Sequence, residues 1–287
     1  MPELPEVETV RRDLERCVVG RAIVAVPWMD PRLVKSREPE AWVRDRMAGE
    51  RVTRIGRRGK FLVWGFQSGA RLVLHLGMSG RIRTGWDPAA AVPPHTHLIV
   101  RLDDGTEVRL TDPRRFGRIV WCEPGVPLGL RLGPEPLSPR FTARRLGEIL
   151  AGRRAPVKAL LLDQRVVAGI GNIYADEALF RARVHPTRAG GDLTPRDVGR
   201  LHRSLRAVLR EAIQCRGTTF LTFEDTSGRR GEYGTHLRVY GQANRPCLRC
   251  ATPVAAVRVA GRTSHFCPKC QAVEDEGPRE ETGDAAL

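Results

Sequence analysis

The 287-residue sequence contains little lysine, few aromatic residues and no long apolar run. Only four of its 48 basic side chains are lysines: Lys35, Lys60, Lys158 and Lys269. Aromatic residues make up 6% of the chain, and no apolar run approaches the roughly 18 residues that cross a bilayer. The first residues also lack the basic and apolar regions of a secretion signal. These absences exclude a membrane-spanning helix and give no support to secretion.

Acidic side chains are fewer than basic ones: the sequence has 33 aspartates and glutamates and 48 arginines and lysines. The formal charge is +15 and the pI is about 10.6. This excess favours a polyanionic partner, with nucleic acid first and an anionic membrane surface as the rival. The length allows two domains, or one domain with an added module. We therefore expect a cytoplasmic protein, nucleoid-associated in a bacterium, that binds nucleic acid and no membrane.

The chain begins with a stretch in which an amine and two carboxylates lie close together. Removal of Met1 would leave Pro2 with a free secondary amine, whose pKa of ~7.7–8.0 is well below that of lysine. A useful fraction of that amine is neutral and nucleophilic at physiological pH, and Glu3 and Glu6 follow it. Spacings of three and four predict one apolar helix face formed by Leu4, Val7, Val10 and Leu14. Taken alone, the stretch fits an ordinary amphipathic helix better than a catalytic site.

Four of the seven cysteines form two CxxC pairs separated by 16 residues: Cys247, Cys250, Cys267 and Cys270. Each pair lets two thiolates converge on one tetrahedral ion, and the stretch between the pairs is long enough for a hairpin. Because protein fills all four positions, we predict one structural Zn²⁺. Arg262 follows Gly261 near the predicted hairpin tip. The remaining cysteines are interpreted as buried free thiols: Cys17, Cys122 and Cys215.

The order of sequence patterns predicts several structural units. Short alternating stretches between residues 21 and 122 predict a β-sandwich or barrel after the first helix. Helical patterns follow at 142–152, 157–163, 173–181 and 194–215, the last with Thr194 as N-cap. We expect an N-terminal helix and sandwich (1–123), a Pro/Gly-rich linker (124–140), a helical domain (141–236) containing a glycine-rich loop (217–235), a cysteine hairpin (237–271) and a disordered acidic tail (272–287).

Two kinds of glycine-containing loop carry candidate binding residues. The segment Gly169-Ile170-Gly171-Asn172 precedes a predicted helix, whose free N–H groups and positive dipole end would bind a phosphate. Met78 lies between glycines, and Arg114 and Phe116 share the loop TDPRRFG. Apolar side chains beside arginines are typical of proteins that insert wedges into stacked bases. Ordinary loop packing explains each group equally well or better when it is taken alone.

Lys60 is the rare lysine that a catalytic interpretation would use. It follows Arg57-Arg58-Gly59 at a predicted hairpin turn. Lysine, unlike arginine, can give up its proton near neutral pH when its surroundings favour the amine. Phosphate binding, general acid/base catalysis and a simple solvated side chain all fit the sequence.

Taken together, these motifs resemble the bacterial formamidopyrimidine-DNA glycosylases over nearly the whole chain. They occur in the family's order: PELPEVETVRR, RRGKF, HLGMSG, TDPRRFG, LGPEPL, GIGNIYADE, RGTTF, VYG and the CxxC pairs. The resemblance implies an α+β multidomain fold with an N-terminal helix on a β-sandwich, a helix–two-turn–helix domain and a C-terminal zinc hairpin. It also implies excision of oxidised purines, namely 8-oxoguanine and formamidopyrimidines, from duplex DNA, followed by β,δ-elimination at the abasic site.

The same resemblance implies roles for individual residues. Pro2 would attack C1′ and form a Schiff base, with Glu3 as acid/base at the sugar ring oxygen and Glu6 in support. Lys60 would be the acid for β-elimination, and Arg262 would serve δ-elimination and phosphate binding. The gap left by the flipped base would be filled by Met78, Arg114 and Phe116. Contacts to the DNA backbone or to nearby active-site groups are implied for His95, Arg153, Lys158 and Asn172.

Two alternatives stay open from the sequence. Endonuclease VIII-like enzymes for oxidised pyrimidines share Pro2, Glu3, the helical module and often the zinc hairpin, although the PELPE start and the wedge residues favour the purine enzyme. The second alternative is a protein that is not an enzyme: a zinc-ribbon protein that binds DNA without catalysing a reaction on it. The chain also departs from the family pattern. Arg153 stands where the family has a lysine, and the loop 217–235 differs after its first three residues.

Overall fold

A computed structural model describes residues 2–35, 38–220 and 222–272. Helix α1 (Leu4–Val18) comes first, and two four-stranded antiparallel sheets follow it. One sheet has the order β1 (Ile23–Met29), β6 (Thr96–Leu102), β7 (Glu107–Thr111), β5 (Arg81–Trp86). The other has the order β2 (Val52–Arg58), β3 (Phe61–Phe66), β4 (Arg71–His75), β8 (Arg118–Cys122), and a short helix α2 (Glu40–Met47) connects the two sheets.

The inner faces of the two sheets and one face of α1 share a single hydrophobic core. Strand β3 alternates between buried and half-buried positions, as expected for a sandwich strand, with Leu62, Trp64 and Phe66 inside. Val7, Val10 and Leu14 of the predicted apolar face pack into this core, as does Val18, whereas Leu4 packs against apolar side chains of the helical domain. Burying each such side chain contributes about 1.5–3 kcal/mol. The first turn of α1 is therefore held rigidly against the sandwich.

The helical patterns predicted after the linker are confirmed. They form α3 (Ala143–Leu150), α4 (Val157–Leu162), α5 (Asn172–Ala182) and α6 (Pro195–Gln214), with a hydrophobic core of their own. Helix α6 begins with the expected capping box: the Asp197 N–H donates to Thr194 Oγ1 at 3.2 Å, and the Thr194 N–H donates to Asp197 Oδ2 at 3.1 Å. Satisfying these end groups explains why the helix starts at Pro195.

The cysteine module is a two-stranded hairpin that packs on α5. Its strands are β9 (Ala255–Val259) and β10 (Arg262–Phe266), paired antiparallel. Asp176 of α5 ties β10 to the helical domain, because its carboxylate accepts from Ser264 Oγ at 2.8 Å and from the His265 N–H at 2.9 Å. A small apolar cluster around Phe180, Val239 and Val254 fills the rest of the contact.

Three details differ from the sequence-based expectations or extend them. Cys17 is exposed, because it lies on the outer face of α1 near its end, so the prediction of a buried thiol is wrong there; Cys122 is buried and Cys215 is half-buried. Residues 124–140 contain no helix or strand, as expected for a linker, yet Glu135 fixes this segment to the β2–β3 turn. Among the described helices, none is both long enough and apolar enough to cross a bilayer. The predicted disordered tail lies, from residue 273 onward, outside the described residues.

Candidate active site

A cavity of about 350 Å³ lies at the start of α1, between the sandwich and the helical domain. Six of the residues singled out in the sequence line it: Pro2, Glu3, Met78, Arg114, Asn172 and Arg262. Phe220 and Thr222 of the glycine-rich loop also line the cavity, as does Tyr240. The fold thus brings the N-terminus, two sandwich loops, the GIGN turn and the zinc hairpin to one site.

Glu3 is fixed at the edge of this cavity by the N-terminus of α5. Only 2% of Glu3 is exposed, and its Oε1 accepts the Ile173 N–H at 3.1 Å. Burial raises the pKa of the Glu3 carboxyl, whereas the charge of Lys60 and the Ile173 N–H act against the rise. Oε2 has no hydrogen-bond partner among the described residues. A carboxyl group with one anchored oxygen and one free oxygen is suited to proton transfer.

The GIGN turn has a different role from the one suggested by its sequence. A Cβ on Gly171 would lie 2.2 Å from Glu3 Cδ, and one on Gly169 would lie 2.7 Å from Leu4 Cδ1. The Leu4 N–H also donates to the Gly169 carbonyl oxygen at 3.0 Å. The glycines therefore let the chain start pack against α5, and an N–H group expected to bind a phosphate holds the Glu3 carboxylate instead.

Replacing Gly171 with alanine is expected to displace Glu3 and slow base excision by about a hundredfold, because small misplacements at a reacting centre have effects of this size. Single-turnover excision kinetics measure the change. Gly147→Ala is the matched control, because a Cβ at this position in α3 meets only Val198 Cγ1 at 3.6 Å. That variant should keep full activity and gain about 0.5–1 kcal/mol of stability from a better helix former. An unchanged excision rate for Gly171→Ala would contradict the role given to Glu3.

Glu6 lies one turn further along α1 and joins three parts of the site. Its Oε2 accepts the Glu3 N–H at 2.8 Å, while its Oε1 accepts the Thr218 N–H at 2.7 Å and the Tyr174 hydroxyl. Burial and the neighbouring charge of Glu3 raise the pKa of Glu6 to about 6. Glu6 therefore connects the chain start to α5 and to the root of the loop 217–235, and lies behind the cavity lining.

Lys60 is buried and is not the solvated lysine that the sequence allowed. Only 6% of it is exposed, and Nζ makes no hydrogen bond or ion pair with another described residue. Burial lowers the pKa of Lys60, the charge of Glu3 opposes this and the charge of Arg262 adds to it. The turn is fixed by Glu135, which accepts from the Gly59 N–H and from Arg57 Nη1 at 2.8 Å. Lys60 is thus a buried amine under the influence of the Glu3 carboxylate.

The position of Arg262 at the hairpin tip is fixed by hydrogen bonds to the main chain of the next residue, Thr263. The Thr263 carbonyl oxygen accepts from Lys158 Nζ at 3.1 Å and from Asn172 Nδ2 at 3.0 Å. Lys158 is itself completely buried and forms an ion pair with Asp176 at 2.7 Å. Burial lowers the pKa of Lys158 and the charge of Asp176 opposes that change. Lys158 therefore braces the hairpin next to Arg262 and does not lie on the surface as a contact to the DNA backbone would.

The other predicted DNA-binding residues lie on exposed loops. Met78 and Phe116 are 37% and 52% exposed, and the Arg114 guanidinium lies 5.0 Å from the centre of the Phe116 ring. His95 is exposed with a φ of 62°, and Arg153 is exposed at the end of α3. Of this set, Met78 and Arg114 line the cavity, whereas Phe116, His95 and Arg153 lie outside its wall.

The sequence reasoning did not single out four residues that organise the site: Asp112, Glu135, Tyr174 and Asp176. All four belong to motifs that were recognised, namely TDPRRFG, LGPEPL and GIGNIYADE. Their partners are distant in sequence, however, as in the bond from Tyr174 to Glu6. Membership in a recognised motif was the available sign that these residues matter. Their hydrogen-bond partners can be identified only from the fold.

The four paired cysteines have the geometry of a zinc site. Their Sγ atoms all lie within 4.8 Å of one another, with 3.4 Å between Cys250 and Cys267. Tetrahedral Zn²⁺ with Zn–S bonds of ~2.3 Å places its sulfur atoms roughly 3.8 Å apart. No disulfide joins these cysteines. The residues present fit one structural zinc ion, as the sequence predicted.

Comparisons with known proteins agree over most of the chain. Residues 1–119 match the formamidopyrimidine-DNA glycosylase N-terminal domain, residues 132–224 match the H2TH domain of these enzymes, and residues 245–273 match the zinc finger found in FPG and IleRS. A formamidopyrimidine-DNA glycosylase of Symbiobacterium thermophilum is 49% identical, over 96% of this chain and 90% of the relative.

Solved structures match the fold over the same extent. The MutM (Fpg) protein of Thermus thermophilus is 43% identical, with a TM-score of 0.84 over 96% of this chain and 100% of that one. A Lactococcus lactis FPG mutant, in complex with a Fapy-dG containing DNA, is 33% identical, with a TM-score of 0.87 over 95% of this chain and 100% of that one.

Proposed function

We infer the reaction of this chain from its family, because it belongs to the formamidopyrimidine-DNA glycosylases, which are DNA glycosylases and abasic-site lyases. The observation that carries the assignment of roles is the cavity in which Pro2 and Glu3 meet Met78, Arg114 and Arg262. We propose that a damaged nucleotide, rotated out of duplex DNA, enters this cavity and is excised there.

We propose that Pro2, freed by removal of Met1, is the nucleophile. Its amine attacks C1′ of the nucleotide, and the bond from C1′ to the base breaks with its electron pair leaving on the base. The Pro2 nitrogen passes its own proton to the departing base. Glu3, with its raised pKa and its free Oε2, donates a proton to the sugar ring oxygen, so that the bond from C1′ to this oxygen breaks, the ring opens and the Pro2 nitrogen forms an iminium (Schiff-base) ion with C1′. The iminium ion then accepts electrons during strand cleavage.

We propose that Lys60 and Arg262 act after base loss. The iminium makes the proton on C2′ acidic, and its removal expels the 3′ phosphate in β-elimination; a second elimination expels the 5′ phosphate. Lys60, a buried amine whose pKa is lowered by burial with the charge of Glu3 acting against this shift, supplies the acid for the first step. Arg262, exposed at the hairpin tip, binds the phosphate that leaves in the second.

We propose that Met78, Arg114 and Phe116 fill the gap left by the rotated base, since they combine exposed apolar groups with an arginine. His95, Arg153 and Asn172 are proposed as contacts to the DNA backbone. All of these groups come from one chain, so a monomer is sufficient for the reaction. We propose the domain division made from the sequence, at residues 123, 140, 236 and 271. The first two boundaries are supported by the mostly separate cores of the sandwich and the helices.

We propose oxidised purines as the substrates, on the strength of the family and of the PELPE start. Excision from matched duplexes containing 8-oxoguanine or thymine glycol tests this proposal. Faster release of 8-oxoguanine is expected. If thymine glycol alone were released, the chain would have the specificity of the endonuclease VIII-like enzymes, and the purine assignment would be wrong.

DNA binding is expected to weaken steeply with salt, at a log–log slope of about −0.9 for each phosphate neutralised. Arg153→Gln should reduce the slope by about one phosphate equivalent. Arg144→Gln is the matched control, because the Arg144 side chain is 90% exposed on α3, which ends three residues before Arg153, but is already paired with Glu148 at 2.9 Å. Fluorescence anisotropy across a salt series measures both. An affinity independent of salt would contradict the electrostatic part of the proposal.

A further inference from the structure

The two loops that carry the wedge residues are joined by one buried carboxylate. Asp112 is completely buried, and its Oδ1 accepts the hydroxyl of Ser79. Its Oδ2 accepts the Gly117 N–H at 2.7 Å. Ser79 follows Met78 in one loop, and Gly117 follows Phe116 in the other. One side chain therefore connects both loops at positions next to the exposed wedge.

The hydroxyl of Ser79 forms a second hydrogen bond between the same two loops. While it donates to Asp112, its oxygen accepts the Arg114 N–H at 3.2 Å. The main chain of Asp112 is fixed as well, because His97 Nε2 donates to its carbonyl oxygen at 3.0 Å and Asp30 Oδ2 lies 2.9 Å from the other ring nitrogen. The Arg115 N–H donates to the same carbonyl oxygen at 3.1 Å. The loops thus share a buried polar network that begins in the core of the sandwich.

The two loops are also in direct van der Waals contact through their main chains. Gly77 has a φ of +62°, and a Cβ at this position would lie 2.5 Å from the main-chain carbon of Phe116. Only glycine can take this conformation at this distance without displacing the neighbouring loop. Met78 and Phe116 therefore have a fixed separation, although both side chains are exposed.

We propose that Asp112 and Ser79 are positioning residues that hold Met78, Arg114 and Phe116 as one rigid wedge. The inference rests on the proposed role of that wedge in filling the gap in the duplex. Loops without helical or strand hydrogen bonds would otherwise sample many conformations, and ordering them during DNA binding would reduce the gain from insertion. Because the buried Asp112 carboxylate already orders the loops in the free protein, this loss of conformational entropy does not have to occur during DNA binding.

The test separates wedge insertion from the covalent chemistry. In Ser79→Ala and Asp112→Asn, single-turnover excision of 8-oxoguanine from a duplex should fall by about tenfold or more, as expected for misplaced positioning groups. The fluorescence rise of 2-aminopurine placed opposite the lesion should slow in parallel. Borohydride trapping on a single-stranded abasic oligonucleotide needs no base rotation and should match the parent protein. Ser79→Thr keeps the hydroxyl and should recover the duplex rate.

Ser68→Ala is the matched control, because Ser68 accepts the Ala70 N–H in an exposed turn of the same sandwich. It should change neither reaction. Equal loss of duplex excision and single-strand trapping in Ser79→Ala and Asp112→Asn would identify a general folding defect and overturn the proposal, as would a duplex rate equal to the parent's. The wedge itself is examined with Met78→Ala and Phe116→Ala. If those variants insert and excise normally, the proposed function of the wedge fails; if they are slow while Ser79→Ala is not, only the positioning role fails.

Discussion

A chain that keeps any residue ahead of Pro2 is expected to form no borohydride-stable adduct with abasic DNA. In that form the Pro2 nitrogen is an amide, which has no basic electron pair and cannot attack C1′. Excision should fall by a factor on the order of a thousand or more, as it does when a nucleophile is removed from other enzymes. Duplex affinity should change little, because the proposed DNA contacts lie on other elements.

The comparison uses two forms of the protein that differ only at the start. One has alanine inserted between Met1 and Pro2, and the other has the natural start with Met1 removed; intact mass identifies both. Pro5→Ala is the matched control, since Pro5 is also in the first turn of α1 but carries no amine. An equal adduct yield from the blocked form would place the nucleophile elsewhere. Lys60, a buried amine with a lowered pKa, would then be the first candidate.

Local sequence signals predicted the elements of this fold well. The capping box at Thr194 and Asp197 predicted the start of α6, and the series of short β-type stretches, with Lys60–Phe66 among them, predicted the sandwich strands such as β3. The cysteine spacing predicted the zinc site without any knowledge of the surroundings. In each of these features, the residues that form the structure are close together in the sequence. Their pattern can therefore be recognised without knowing the rest of the fold.

Contacts between distant segments could not be predicted in the same way. The family resemblance implied that Lys158 contacts the DNA backbone or a nearby active-site group. Its burial against Asp176 is decided by how α4, α5 and the zinc hairpin meet. The glycines of GIGN were interpreted as a phosphate loop, whereas Gly171 is required by the Glu3 side chain that packs on it. Cys17 was interpreted as buried because it follows a predicted helix face and cysteine is usually buried, but it lies on the outer face of α1 and is exposed.

Loss of the zinc ion is expected to abolish DNA repair while leaving the sandwich folded. In Cys250→Ser, the hairpin loses the ion that holds it together, and structural zinc sites supply about 10–16 kcal/mol to such modules. Asp176 then loses its bonds to Ser264 and to the His265 N–H, and Arg262 is no longer held at the cavity wall. Duplex affinity should fall about a hundredfold or more, which corresponds to roughly 2.7 kcal/mol.

The chain itself offers a probe that separates this local loss from general unfolding. All five tryptophans lie before residue 123, and Trp64 and Trp121 are buried in the sandwich core, which shares no residue with the cluster around the cysteines. Tryptophan fluorescence should therefore report the same melting midpoint for Cys250→Ser as for the parent protein, while bound zinc falls from one ion per chain towards none. Cys17→Ser, which removes an exposed thiol outside the site, should keep zinc, affinity and activity. Because the helical domain and Pro2 remain in place in Cys250→Ser, duplex binding as tight as that of Cys17→Ser would mean that the hairpin adds nothing to DNA recognition, and the role given to Arg262 would be wrong.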